Sequence, residues 1–375
     1  MIKRVFAFLL FLMGFLTSSA ALYAQQDSLS VTEPVTYGGL TVWMVQAREK
    51  THHPYLTLED ALSTHRAVIH ENNSQTLWIE NLSDTDLFVQ SADLIKGGQQ
   101  DRMVASDMIV PAHDTSYAFN VYCIEKGRST KRGTEPIETF SSSEWMAPLA
   151  HTRIVARHEL TEKLLTPKVG GLTAPDPEQL KLLESLGEIP RPFGQVDAAQ
   201  YSIWNDVAVA QAGMTLALKD SVTRNQSPTS LELALDAKSV SERERDFNKR
   251  FNSLASDNTV GFIYAIGGKI RGGDIYSSHD LFNAMWSKLV RSASAEAIMD
   301  KSSKAESTIS KDDVLAFIES AKHGKSTSEN PNARTLVEAV RSDGAYRFVT
   351  YDTKYQEAPL HEEILARDSA NDGVF

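Results

Sequence analysis

The sequence predicts an α+β fold, with an antiparallel β-rich first half followed by an α/β second half. Three observations carry that expectation. Short β-type runs separated by turn residues fill the first half, the apolar period becomes helical after about residue 198, and a Gly267-Gly268 pair joins two β-type runs in the second half. The chain has 375 residues, and its 42% apolar content plus 20 glycines is the usual share for a globular protein. Disordered, collagen-like and disulfide-scaffold classes are thereby excluded. A net charge of -11 argues against nucleic acid as a partner, because phosphate binding needs a basic surface.

Residues 1–24 read as a signal peptide. Lys3 and Arg4 precede an apolar run over residues 5–16, and small residues lead to a cleavage point after Ala24. The run falls short of the roughly 20 residues that span a bilayer. The expected product is an exported, periplasmic or extracellular protein with no stable membrane span after cleavage. Cys123 is the only cysteine, so no internal disulfide staples the fold.

Residues 34–165 form the β-rich half. A strand is expected over 37–45, then a short helix over 57–62 with Thr57 as its cap and Glu59 and Asp60 in its first turn. Further strands are expected over 67–70, 76–81, 87–94, 107–110 and 117–124. The last alternates, with Tyr117, Phe119, Val121 and Cys123 on one face. Residues 166–197 hold five of the 13 prolines and read as a Pro/Gly-rich loop or linker around a short helical stretch. Residues 198–375 form the α/β half. Helices are expected over 203–218 and 240–254, then a hairpin over 260–276. A helix presenting Leu281, Phe282, Met285, Trp286 and Leu289, another over 312–321 and a last strand over 346–351 complete it.

No nucleophile elbow, phosphate-binding P-loop, dinucleotide glycine fingerprint or metalloprotease histidine pair is present. No metal or cofactor is called for. The segment 96–132 carries six basic residues against four acids, +2 in an acidic chain. Within it, Lys96-Gly97-Gly98-Gln99-Gln100-Asp101-Arg102 follows a strand. Paired glycines there allow a concave nest of amides for an anion. Glu125-Lys126-Gly127-Arg128 repeats the pattern at another strand end. The competing expectation is two ordinary turns with solvated charges. Cys123 reads as a packing residue.

These segments, with Ser91 to Arg102, Val121 to Arg128, Trp204 to Val207, Gly261 to Tyr276 and Leu281 to Ser292, resemble the ADP-ribosylglycohydrolase- and rhodanese-phosphatase-associated protein domain family. The resemblance covers roughly residues 36–300. It implies a link, by genomic association, to ADP-ribose and NAD-derived metabolism. Ser129 stands where many relatives carry an aromatic residue, and residues 166–195 are long for the family.

The leading expectation is an exported domain that binds a small anionic ligand, nucleotide- or ADP-ribose-like. Lys96, Gly97, Gly98, Gln99, Arg102, Glu125, Gly127 and Arg128 would form the site, with Lys96, Arg102 and Arg128 converging on one negative group. A hydrolase of a phosphorylated or ribosylated compound, using Glu125 or Asp101 as acid/base, is the alternative. A structural envelope protein without a small ligand is the third.

Overall fold

Residues of period-two alternation build antiparallel sheets here, and the helices gather where the spacing turns to three and four. The computed structural model describes residues 29–51, 53–71, 75–115, 117–133, 139–164, 198–300, 308–355 and 358–367. The expected signal peptide (1–24) and the Pro/Gly-rich segment (166–197) lie outside the described residues.

The first half contains β1 (Ser30–Val31), β2 (Val35–Tyr37), β3 (Leu40–Gln46), β4 (Leu56–Thr57), β5 (Ala67–Glu71) and β6 (Thr76–Asn81). It continues with β7 (Leu87–Val89), β8 (Asp93–Gly97), β9 (Arg102–Val104), β10 (Met108–Val110), β11 (Tyr117–Cys123) and β12 (Phe140–Met146). Helix α1 (Leu58–Ser63) interrupts these strands; α2 (Ala150–Ala156) and α3 (His158–Leu164) follow them. After residue 197 come α4 (Ala198–Leu218), α5 (Leu231–Leu235), α6 (Lys238–Phe251), β13 (Thr259–Ile266), β14 (Lys269–Tyr276), α7 (His279–Met299) and α8 (Lys311–Ser320). A meander of β15 (Lys325–Asn332), β16 (Thr335–Arg341), β17 (Ala345–Asp352) and β18 (His361–Ala366) ends the described chain.

Three sheets result. The largest runs β1-β3-β13-β14-β18-β17-β16-β15, with β2 also paired to β3. A second runs β12-β8-β9-β11-β6-β5, and a third β10-β7-β4. Among the described strands only β4 and β7 pair in parallel. The fold is therefore α+β with antiparallel sheets dominating. Strand β3, from the first half, hydrogen-bonds to β13 from the second, so the two halves share a sheet.

Strand β3 explains why this sheet is central. Its Leu40, Val42 and Met44 join a core with Ile203 and Val207 of α4 and Trp286 and Leu289 of α7. Trp43 and Val45 point the other way, onto Ile263 and the Val314 and Ile318 of α8. At about 1.5–3 kcal/mol for each fully buried large apolar side chain, neither face of β3 could be left bare. A separate core under the second sheet takes Leu77, Ile79, Ile95, Val104, Phe119 and Val121 together with Leu58, Ala61 and Leu62. Cys123 is buried at the end of that face. No helix among the described residues is long and apolar enough to cross a membrane.

Thr57 caps α1 as the sequence predicts, and Ser278 and Ser310 likewise accept a backbone N–H in the first turn of α7 and α8. Two expected strands differ. The run 37–45 contains a hairpin, because Gly38 and Gly39 take φ of +58° and +85° and turn β2 back onto β3. The run 87–94 is cut into β7 and β8, which enter different sheets. The sequence does not mark strand β15, because Lys-Ser-Thr-Ser-Glu-Asn-Pro-Asn has no apolar alternation, only the polar, proline-bearing composition of a protected edge.

Candidate functional site

The amides of the glycine turn between β8 and β9 do not converge on one point; they are taken up singly by the protein's own carboxylates. Gly97 and Gly98 take φ of +118° and +61°, which brings successive amides round one turn. The Gly97 N–H donates to Asp101 Oδ1 at 3.3 Å, and the Gln99 N–H donates to Glu71 Oε2 at 3.3 Å. The Asp101 N–H donates to Glu125 Oε2 at 3.0 Å.

The cations are matched in the same way. Arg128 Nε lies 2.6 Å from Glu125 Oε2, and its Nη2 lies 3.4 Å from Asp101 Oδ1. Arg128 Nη1 also donates to the Gly98 carbonyl at 3.2 Å, which ties the two turns together. Arg132 Nη1 completes the group, donating to Asp101 Oδ2 at 2.7 Å and to Ser230 Oγ, the cap of α5, at 3.2 Å. Burial and then Glu125 push the Asp101 carboxyl above its ordinary range, against the pull of Arg132 and Arg128. Gly127, at φ +85°, turns the chain so that Arg128 can reach back. Next to it, Lys126 Nζ sits over the rings of Tyr201 and Trp204 at 5.6 and 5.8 Å.

The expected convergence of Lys96, Arg102 and Arg128 on one anion is corrected by the sheet register. Ile95 pairs with Arg102 across β8 and β9, so those two share a face and Lys96 takes the other. Arg102 Nη2 donates to Glu71 Oε1 at 3.0 Å. Lys96 Nζ meets Glu232 Oε1 of α5 at 2.9 Å. Glu125 and Asp101, the acid/base candidates, are wholly buried and pinned by two guanidinium groups. A general acid must come within hydrogen-bond reach of its substrate, and neither carboxyl has surface to do so. Glu71, Arg132 and Ser230 complete this cluster, and no local sequence signal marks them, because their partners lie far away in the chain.

A second ionic group joins the sheets. His361 on β18 bonds Asp107 Oδ2 through Nδ1 at 2.7 Å and Asp274 Oδ1 through Nε2 at 3.1 Å. Burial alone would push the imidazole down, but the two carboxylates win and lift it to about 10. Thr350 Oγ1 donates to Asp107 at 2.6 Å, and Gln90 Nε2 donates to Asp274 at 3.2 Å. Arg153 and Arg157 both bond Glu363 nearby. All of these groups are buried.

An open cavity of about 420 Å³ lies elsewhere, between β11, α3 and β15. Ala118, Asn120 and Tyr122 form its floor, the alternate residues of β11 that face away from the core under the second sheet. Glu159 and Lys163 of α3 and Glu329 and Asn330 of β15 form its walls. Burial and then Glu159 push the Glu329 carboxyl up, while Ser106 Oγ donates to it at 3.4 Å. Arg157 borders the cavity with its guanidinium stacked 4.2 Å from the Phe348 ring centroid. Its Nε has no hydrogen-bond acceptor among the described residues, while its Nη2 is ion-paired with Asp107 Oδ1 at 3.6 Å. No group of three or more metal-ligating side chains occurs among the described residues.

Two halves that share one sheet through the β3–β13 pairing, two buried ionic clusters and a polar cavity define an α+β domain built around internal charge pairs. The profile of the ARG and Rhodanese-Phosphatase-superfamily-associated Protein domain (ARPP-1) matches residues 28–360, and the chain belongs to that family. No curated protein and no solved structure matches it.

Proposed function

We propose that this protein is an exported domain that binds a small anionic ligand, of nucleotide or ADP-ribose kind, in the cavity between β11, α3 and β15. The cavity itself carries the proposal: its volume of about 420 Å³ lies within the range of ligand pockets, and its walls are polar. Lys163 supplies a cation at its wall, and Arg157, already paired with Asp107 and Glu363, keeps one unbonded donor, Nε, at its border. The amides of the Gly97-Gly98 turn are taken by Asp101 and Glu71, so the ligand's charge has to be met elsewhere. The family's association with ADP-ribosylglycohydrolases favours the ADP-ribose class. Titration calorimetry with ADP-ribose and with ribose 5-phosphate tests this. Binding that weakens about tenfold in Lys163→Glu supports it, and the absence of heat for both compounds at millimolar concentration sinks it. Export is tested separately by cell fractionation, with a mature N-terminus near Gln25 expected.

One observation favours a second reading, a hydrolase of a ribosylated compound. Glu329 is a partly buried carboxyl with a raised pKa on the same cavity as Glu159, the environment of a general acid. Turnover of ADP-ribose that is lost in Glu329→Gln would establish it; binding without turnover leaves the domain a binder.

A further inference from the structure

An exposed tryptophan lies on the strand next to the cavity floor, and its position follows from strand register. Trp78 on β6 is directly opposite Ala118 on β11. Opposed residues of an antiparallel pair project from the same face, with Cβ atoms about 5 Å apart. Ala118 and Asn120 line the cavity from that face, so Trp78 continues its floor outward by one strand. The indole is 38% exposed, whereas Trp43, Trp145 and Trp286 are buried. On its far side His70 of β5 is opposite Trp78 and is held by Glu80 at 3.2 Å, so the indole is flanked on both neighbouring strands.

We infer that Trp78 is a stacking platform for the ring of a ligand whose polar part occupies the cavity. The ligand class is a nucleoside phosphate or sugar nucleotide: a flat base on the indole, hydroxyls on Asn120 and Asn330, and the charge at the Lys163 wall. A planar base gains from an aromatic face without hydrogen-bond readout, which suits a platform that offers only its π-surface. This inference rests on the cavity being the ligand site, and the experiment separates the two.

The test compares ADP-ribose, which carries a base, with ribose 5-phosphate, which does not, on the wild-type protein and on Trp78→Ala. ADP-ribose is expected to bind the wild type about ten- to a hundredfold tighter than ribose 5-phosphate and to quench tryptophan fluorescence. In Trp78→Ala that advantage should disappear while ribose 5-phosphate affinity stays unchanged. Phe replacement at the same position should restore most of it. If ribose 5-phosphate binds and ADP-ribose shows no advantage, or if Trp78→Ala keeps the advantage, the platform is refuted and the anion site stands. If neither compound binds, both fall together. A circular-dichroism melt of Trp78→Ala guards against loss of fold as the cause.

Discussion

His361 should be a buried imidazolium at neutral pH, and its proton should hold the sheets together. The ring lies between Asp107 on the segment before β10 and Asp274 on β14, with Thr350, Gln90, Arg153, Arg157 and Glu363 packed around them. Its pKa is lifted from 6.5 to about 10. A raised folded-state pKa means that the native protein keeps a proton the unfolded chain has lost. The contribution is complete below about pH 6.5 and disappears as pH rises through 10. At about 1.4 kcal/mol for each pKa unit, the lift corresponds to about 5 kcal/mol, a large part of the stability of an ordinary domain. His361→Gln keeps a hydrogen-bonding side chain and removes the charge, leaving Asp107 and Asp274 without it. Urea unfolding of both proteins at pH 6, 8 and 10 is the assay. The mutational cost should be several kcal/mol at pH 6 and should shrink steadily towards pH 10. Nitrogen-15 NMR of the wild type at pH 8 provides a second readout, with both ring nitrogens protonated. A neutral ring at pH 8, or a mutational cost independent of pH from 6 to 10, would refute the charged bridge.

The other clusters make sharper statements than the sequence could. Arg128→Ala strips one of two guanidiniums from Asp101 and Glu125, so it should cost about 3–5 kcal/mol of stability, seen as a lower urea midpoint. A variant as stable as wild type would mean that the cluster is solvated after all. Burial pushes the Glu232 carboxyl up to about 7, against the pull of Lys96, so the native state takes up a proton there before the unfolded chain does. Stability from this group should therefore fall by up to about 3 kcal/mol as pH rises from 4.5 to 7, and Glu232→Gln should flatten that slope in denaturant titrations. Burial likewise raises the Cys123 thiol, so a thiol reagent should label it only as fast as the protein opens. Cys123→Ala should cost about 1 kcal/mol; rapid labelling of the native state would contradict its packing role.

Much of the fold is legible from local chemistry. The Thr57, Ser278 and Ser310 side chains decide helix starts within four residues of chain, and the Gly267-Gly268 turn decides its hairpin within two. The alternation of β11 places Phe119, Val121 and Cys123 inside without knowledge of what covers them. Even the turn at Gly97-Gly98 is visible, because two glycines next to a polar run allow only a few turns. The carboxylates that take up its amides are not visible. Glu71 is 28 residues from Gln99, Glu125 is 24 from Asp101 and Arg132 meets Ser230 across 98, and no local pattern encodes such distances.

Charge pairing is where the tertiary structure decides. In the sequence, Lys96, Arg102 and Arg128 are three cations near glycine turns, and nothing distinguishes a cation awaiting a ligand from one already neutralised. Sheet register separates them, sending Lys96 to Glu232 and Arg102 to Glu71 on opposite faces. The cavity is decided in the same way, since β11, α3 and β15 come from segments that meet only after the sheets close, and Trp78 comes beside its floor only through the pairing of β6 with β11. Elements follow from nearest neighbours along the chain, whereas sites follow from neighbours in space, and long-range pairing is a property of the packed whole.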